Sequence, residues 1–589
     1  MSERAPALPF LALAAAVVAG HRSRDTRVAD LDGFYHVGHA LAYLEGSPLD
    51  TSLPWATQSI IGDLGGDLWW GFHVLLMPLA ALAGVEWGLR IAGLLLTAVL
   101  GASVLWVLRR HAIPGAGWWS ALFLIAVPNV FYRHLMVRPH VLSLAASLAL
   151  LSVLVRGRWW QVVALSAGIA WVHLSLFWIA PAIAVVYALA RIVVTVGAPP
   201  VADGEGVPPF AAVASAVGGA ALGWAARPDA VAALSLLNIQ LVELFAVKAL
   251  DLPLSFAAEL QPYGLLELLQ SSWSFALLWL VAGCAVLART ISGETGATAS
   301  ASDGDTASGA GEPSSAAGSR SFSPQREETP PFRREVATLV VASAILSTVF
   351  LSLTLTSARR AMEQWVGFGF LLVPLAGTVF AHRRPGRSKA ASEGFVREDG
   401  ARPRPFPDDA KLRLVRGAAA LLLVAHLGWG AWRHSLNVSV VAFRGDTLRE
   451  VAEFLAASSD PGEIVFHARW DNFGPLFAHN RANRYLGGMD PIFFYAHDPA
   501  SYWEFFFLSA DATQEYTCDA YPCAEGTATD THRVLMDHFG TRWVVVEPYR
   551  NPRLSLYLLN DDRYGLALET QHAAVFEVLE VRAADAEAR

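Results

Sequence analysis

The sequence predicts an α-helical polytopic membrane protein that ends in a small α/β domain. Three observations carry that prediction. Of the 589 residues, 54% are hydrophobic and only 16% are charged, whereas soluble domains carry nearer a quarter charged residues. The apolar residues fall in long runs and the mean hydropathy is positive, which is the signature of segments that cross a bilayer. After about Arg433 the pattern changes, and short β-branched runs alternate with helical stretches.

Taken in order, the first apolar run, Ala5 to Gly20, is short for a span and has signal-peptide features. Because many further spans follow, it reads as an uncleaved first crossing. A polar stretch from His21 to Trp70 comes next, then Gly71 to Val85 (GFHVLLMPLAALAGV), whose length suits an interfacial or re-entrant helix. Residues 21–86 together form a first external loop. Spans follow near 87–108, 115–132, 139–155, 159–174, 176–195, 209–226, 270–289, 336–357, 362–381 and 412–432. With the first run that makes about eleven crossings by the 20-residue criterion.

Arg109 and Arg110, Arg156 with Arg158, Arg191, and the basic run from His382 to Lys389 fall on one side of such a layout. By the positive-inside rule that side is the cytoplasm of a multi-pass plasma-membrane protein. The first loop and the segment after the last span are then outside, giving a transmembrane region over 1–433 and an extracytoplasmic α/β domain over 434–589. Two cytoplasmic segments, 291–335 and 383–410, are too poor in large apolar residues to fold and read as disordered. In the C-terminal domain, Glu463–Phe466 and Arg542–Val546 are strand-like, and Thr447–Ala457 and Thr531–Phe539 are helical. Cys518 and Cys523 are close enough to pair in an oxidising compartment, and Cys284 is read as packed within an apolar run. The lone His173 reads as a satisfied core histidine. The net charge of -8 comes from segregated charges, with no basic face for a nucleic acid.

Chemistry concentrates in Asp30-Leu31-Asp32-Gly33-Phe34-Tyr35-His36-Val37-Gly38-His39. Ionisable groups this dense beside a bilayer mark a cavity or a chemical step. Asp30 and Asp32, with His36, can hold a divalent cation such as Mg or Mn, the two carboxylates through oxygen ligands. Either carboxylate can instead act as a general base, and a polar loop leaving a hydrophobic helix is the plain alternative. The same face carries His73, Arg138, His140, Glu259 and Glu363 from four separate segments. Arg359 and Arg360 sit in a tight outside loop, against the charge rule. A guanidinium fork binds two phosphate oxygens at once. Arginines that snorkel to lipid headgroups are the alternative.

Asp32-Gly33-Phe34-Tyr35-His36, followed by Tyr43-Leu44-Glu45-Gly46, resembles the first external loop of the C-type (GT-C) membrane glycosyltransferases. It is most similar to the D-x-Y-Y-H stretch of prokaryotic oligosaccharyltransferases. Arg469-Trp470-Asp471-Asn472-Phe473-Gly474 resembles the W-W-D-Y-G motif that opens their soluble domain, with Arg469 in place of the first tryptophan and Asn472 and Phe473 where tyrosine is expected. The acidic motif of the second outside loop is replaced by His134-Leu135-Met136-Val137-Arg138-Pro139-His140.

The resemblance implies transfer of a sugar from a polyprenyl phosphate or diphosphate to a glycan, lipid or protein acceptor at the outer membrane face. On it, Asp32, with Asp30, would be the metal-binding or basic carboxylate, and Arg359, Arg360 or Arg138 would hold the donor phosphate. Trp470 and Asp471 would lie near the acceptor, and His39, His73, His140, Glu259 and Glu363 would support the site. A protein-directed oligosaccharyltransferase and a non-catalytic transporter of lipid-linked sugars are the rivals. A transporter calls for mid-membrane charges and two related halves, and the sequence has its charges at one face and no repeat.

Overall fold

A computed structural model of the chain describes residues 27–196, 206–293, 332–381, a few between 425 and 433, and 443–580, apart from 256 and 525. The first apolar run, the middle of the Ser/Gly-rich segment (294–331), residues 383–410 and most of the 412–432 run lie outside the described residues. The helices on either side of the Ser/Gly-rich segment run to Gly293 and begin at Phe332.

Among the described residues, six helices are long and apolar enough to cross a membrane: Trp70–Arg110, Pro139–Arg156, Leu174–Thr195, Ala230–Ala249, Leu265–Ala288 and Glu335–Thr356. Ala116–Ile125, Trp159–Val172, Pro209–Ala225 and Ala361–Ala376 are shorter apolar helices. The run over Trp70–Arg110 is two helices. Gly84 has φ 64° and ψ -164°, a conformation that only glycine adopts without strain, and it separates the Gly71–Val85 stretch from the longer helix after it.

Three expectations need correction. The predicted span near 115–132 is broken, because Pro128 pushes Val127 to extended geometry (φ -127°, ψ 111°) and the chain restarts as Pro128–His134. The stretch after Arg227, read as a loop, holds the apolar helical run Ala230–Ala249. Its two ends meet the same face of the molecule: Thr51 donates to Asp229 at 2.7 Å, and Lys248 donates to the Ser357 carbonyl at 3.2 Å. Cys284 is exposed on its helix, in a row with exposed Leu280, Val281 and Leu287, because it falls on the helix's outer stripe.

The first-loop helix Asp32–Glu45 is the element on which the rest of that face is built. It starts where the Asp30 carboxylate accepts the Gly33 N–H at 2.8 Å, satisfying one of the orphan donors of a helix N-terminus. Its core side chains Phe34 and Tyr35 are fully buried, each contributing about 1.5–3 kcal/mol of burial. A Cβ on Gly38 would come within 2.9 Å of the Ala478 backbone, so this glycine lets the helix Phe473–His479 dock directly on the first loop.

The C-terminal part forms a six-stranded mixed sheet in the order Ala56–Thr57, Arg484–Leu486, Ile464–His467, Thr541–Val546, Ala574–Val578, Tyr564–Glu569. The first three pairings are parallel and the last two antiparallel. The edge strand Ala56–Thr57 comes from the first loop, and Arg27–Val28 pairs with Phe443–Arg444. Strand and helix alternate as the sequence predicts, with helix Arg449–Ser458 before Ile464–His467. Cys518 and Cys523 form a disulfide with a Cα separation of 5.6 Å.

Candidate active site

The first-loop helix, the break before Pro139, the Ala258–Leu260 turn and the turn at Ser357–Arg360 meet around one cavity of about 460 Å³. Asp32, His36, Arg133, Arg138, His140, Arg360 and Glu363 line it on the polar side. Trp178, Leu241, Leu244, Phe245 and Phe350 form an apolar wall.

Arg138 organises the polar side. It caps the helix Pro139–Arg156, whose proline forces it into extended geometry. Its Nε lies 3.0 Å from Asp30, one terminal nitrogen 2.9 Å from Asp32, and the other 2.8 Å from Glu259. Glu259 also accepts from Arg133 at 2.7 Å and from Arg360 Nε at 2.7 Å. Arg133 reaches on to Glu363, which lies 3.5 Å from His140. Three guanidiniums therefore converge on one carboxylate. Arg360 is the most exposed of the three, at 37% against 14% for Arg133 and 15% for Arg138.

The electrostatics divide the carboxylates. Burial pushes Asp32 up to about 7 against the pull of Arg138, with Asp30, Glu259 and Asp490 adding to the rise. Burial also works against ionisation of Glu259, but Arg138, Arg360 and Arg133 outweigh it and hold that group well below the usual range. One acid is thus a permanent anion and the other is poised near neutrality, the division expected of an acid–base site.

The adjacent arginines separate. Arg359 pairs with Glu267 at 2.8 Å and lies over the Tyr263 ring at 4.7 Å, and it does not line the cavity. Trp470 and Asp471 are also elsewhere: Asp471 holds Arg550 at 2.7 Å within the C-terminal part. The helix that follows them is the one docked on the first loop. His173, read as a core histidine, instead lines the cavity, with Nδ1 3.3 Å from the Ser143 hydroxyl.

Sequence reasoning left Asp490 and Gln240 out of the site. Asp490 enters from the C-terminal part beside Met489 and accepts from Gln240 at 3.3 Å. The Gly487-Gly488 pair, with Gly487 at φ 78°, was the available signal for a sharp turn toward the membrane face.

Behind the cavity wall lies a second cluster. His73 Nδ1 is 2.6 Å from Asp67, Tyr43 donates to the same oxygen at 2.7 Å, and His36 Nδ1 is 2.8 Å from His73 Nε2. His39 stacks on His73 with ring centroids 4.4 Å apart. Burial, with His73 and Arg138, holds His36 well below the usual imidazole range.

Two groups of these residues bear on a metal. Asp30, Asp32 and His36 do not fit a shared cation site, because Arg138 already lies between the two carboxylates and holds both. His39, Asp67 and His73 offer ligand atoms within 4.8 Å of one another. Asp67 and His73 are already saturated by hydrogen bonds, however, and only His39 Nε2 is buried without a partner. That cluster fits a hydrogen-bond network better than a cation.

No family model and no curated protein matches this chain. Solved structures do. An oligosaccharyltransferase from Archaeoglobus fulgidus, tethered to an acceptor peptide, matches with TM-score 0.54 at 11% identity, over 98% of this chain and 74% of its own. The fold is that of the GT-C glycosyltransferases. ArnT from Cupriavidus metallidurans shares it with TM-score 0.50 at 12% identity, in the apo state over 98% of this chain and 99% of its own. The form bound to undecaprenyl phosphate matches with TM-score 0.50 at 12% identity over 99% and 100%. The GT-C resemblance expected from the first-loop motif is therefore borne out at the level of fold.

Proposed function

We propose that the protein is a membrane glycosyltransferase that moves a sugar from a polyprenyl phosphate or diphosphate to an acceptor at the outer membrane face. The observation that carries this reading is the shared cavity. Asp32, poised near neutrality, and Arg360, the most exposed arginine of its cluster, line the same 460 Å³ space beside an apolar wall. A lipid-phosphate donor presents the matching chemistry, an anionic headgroup with an apolar tail. ArnT, a neighbour in fold, was solved with undecaprenyl phosphate bound.

On this reading the acceptor oxygen or nitrogen attacks the anomeric carbon as the bond to the phosphate oxygen breaks. Asp32 takes the acceptor's proton. Arg360, backed by Arg133 and Arg138, stabilises the negative charge that develops on the leaving phosphate. Asp30 holds Arg138 and the start of the helix, so it positions Asp32. A Mg or Mn ion at Asp30 and Asp32 would have to displace Arg138, so the phosphate charge is assigned to the arginines.

The topology that goes with this is eleven crossings in a plasma membrane, a transmembrane region over 1–433 and an extracytoplasmic domain over 434–589. The Cys518–Cys523 disulfide supports an oxidising location for that domain. The test is transfer from a labelled polyprenyl-linked sugar by the purified full chain in proteoliposomes, with peptide, glycan and lipid acceptors in parallel. Transfer to peptide alone assigns the oligosaccharyltransferase form. Vesicle translocation of the donor without any transfer would replace the enzyme by a transporter.

A further inference from the structure

The buried histidine cluster has a direction. Asp67 lies just ahead of the helix starting at Trp70, where its Oδ1 accepts the Trp69 N–H at 2.8 Å. Its Oδ2 takes the Tyr43 hydroxyl at 2.7 Å and faces His73 Nδ1 at 2.6 Å. The Arg227 guanidinium donates to the Asp67 carbonyl. An ionised carboxylate only accepts hydrogen bonds. His73 Nδ1 therefore carries the hydrogen, and the neutral ring leaves a lone pair on Nε2. That lone pair faces His36 Nδ1 at 2.8 Å, which must then be the donor. His36 is left with a lone pair on Nε2, which has no partner among the described residues, on a ring that lines the cavity beside Asp32. Edge-on Phe72 and Trp69, with centroids 5.1 and 5.6 Å away, lock that ring.

We propose that Asp67 and His73 form a relay that fixes the tautomer of His36, so that His36 Nε2 enters the cavity as a hydrogen-bond acceptor for the nucleophilic O–H or N–H of the acceptor substrate. His36 aligns the nucleophile, and Asp32 remains the group that takes its proton. Asp67 and His73 are positioning residues. The relay rests on the reading of the cavity as the transfer chamber, but its tautomer is a property of the protein alone.

Nitrogen-15 NMR of the full chain, labelled at its 17 histidines and held in nanodiscs, tests the tautomer directly. His36→Gln identifies the resonance. The relay requires His36 with Nδ1 protonated and Nε2 bare. A protonated Nε2 in the wild type, as an imidazolium at His73 would impose, overturns the proposal. Asp67→Asn supplies the second arm, because an amide N–H donating to His73 Nδ1 reverses both tautomers. Transfer should then lose kcat on the order of a hundredfold or more, as when a triad carboxylate is made an amide, with the donor KM within about twofold. His36→Gln, which keeps an acceptor oxygen, should retain more activity than His36→Phe. Unchanged kcat in a folded Asp67→Asn protein overturns the relay. If that variant does not fold, the wild-type spectrum decides. Absence of transfer by a wild type with the required tautomer would instead remove the transferase reading and leave the hydrogen-bond chain intact.

Discussion

Two arginine–carboxylate clusters in this molecule differ in what they leave available. In the C-terminal part, Arg550 is shared between Asp471 at 2.7 Å, 79 residues away in the chain, and Glu547 at 3.1 Å, 3 residues away. At the membrane face, Arg138, Arg133 and Arg360 come from distant segments and converge on Glu259, while Arg138 also holds Asp30 and Asp32. The first borders a separate pocket lined by residues of the C-terminal part alone, Glu547 and Arg550 among them. The second borders an apolar-walled cavity and keeps one carboxyl near its titration point. A motif that reads as functional in sequence, Trp470-Asp471, thus belongs to the cluster away from the cavity that holds Asp32.

The sharpest way to break that contrast is Asp32→Asn, which keeps shape and removes the base. Transfer should fall by roughly a hundredfold or more, with folding confirmed by thermal melting in detergent. Turnover near wild type would dissolve the distinction between the clusters. Next come the neighbouring arginines. Arg360→Gln removes a charge-assisted contact of about 1.5–3 kcal/mol, so the donor KM should rise about tenfold or more. Arg359→Gln loses only a surface pair of about 0–1 kcal/mol and should leave the KM within about twofold. Equal effects would contradict the separation of their side chains.

The pH profile sharpens the same comparison. Asp32 is raised from 3.8 to about 7, so the folded protein holds a proton there that the unfolded chain has released. Transfer should rise with pH through about 7 as the base ionises. Stability from the protonated group is complete below the unfolded value and is lost as pH rises through about 7. Asp32→Asn should therefore gain melting temperature relative to wild type as pH goes from 6 to 8, and a constant difference would count against the raised value. The smallest effect is expected in the C-terminal cluster. Asp471→Asn should cost about 1 kcal/mol of stability, read as a modest shift in melting temperature, with kcat within about twofold.

Much of the fold was legible because apolar length and alternation are local properties. The broken run at Gly84 and the alternating C-terminal strands and helices announce themselves within a few residues, whereas the helix Asp32–Glu45 lay within a stretch read only as a polar loop. The helix Ala230–Ala249 was not legible, because Gln240 and Glu243 interrupt its apolar run and its neighbours are first-loop residues far away in sequence. Asp32, Arg138 and Glu259 were legible as charges sharing one face. Which of Arg359 and Arg360 enters the cavity was not. The Arg359 N–H bonds the Gln261 carbonyl and the Arg360 N–H bonds that of Glu259, so the register of this turn against residues 259–261 decides that the Arg360 side chain reaches Glu259. No local pattern encodes that register. The role of Asp67 was hidden for a similar reason, since Tyr43 reaches it from another helix and His36, on that same helix, reaches it only through His73.

The central claim is that one chamber holds both the base and the donor phosphate. Cryo-electron microscopy of Asp32→Asn in nanodiscs, trapped with a polyprenyl-linked sugar, tests it most directly. The phosphate should lie within hydrogen-bonding distance of Arg360, with the prenyl chain along Trp178, Phe245 and Phe350 and the anomeric carbon facing residue 32. A phosphate bound at Arg359 and Glu267, or anywhere outside the cavity, would contradict it.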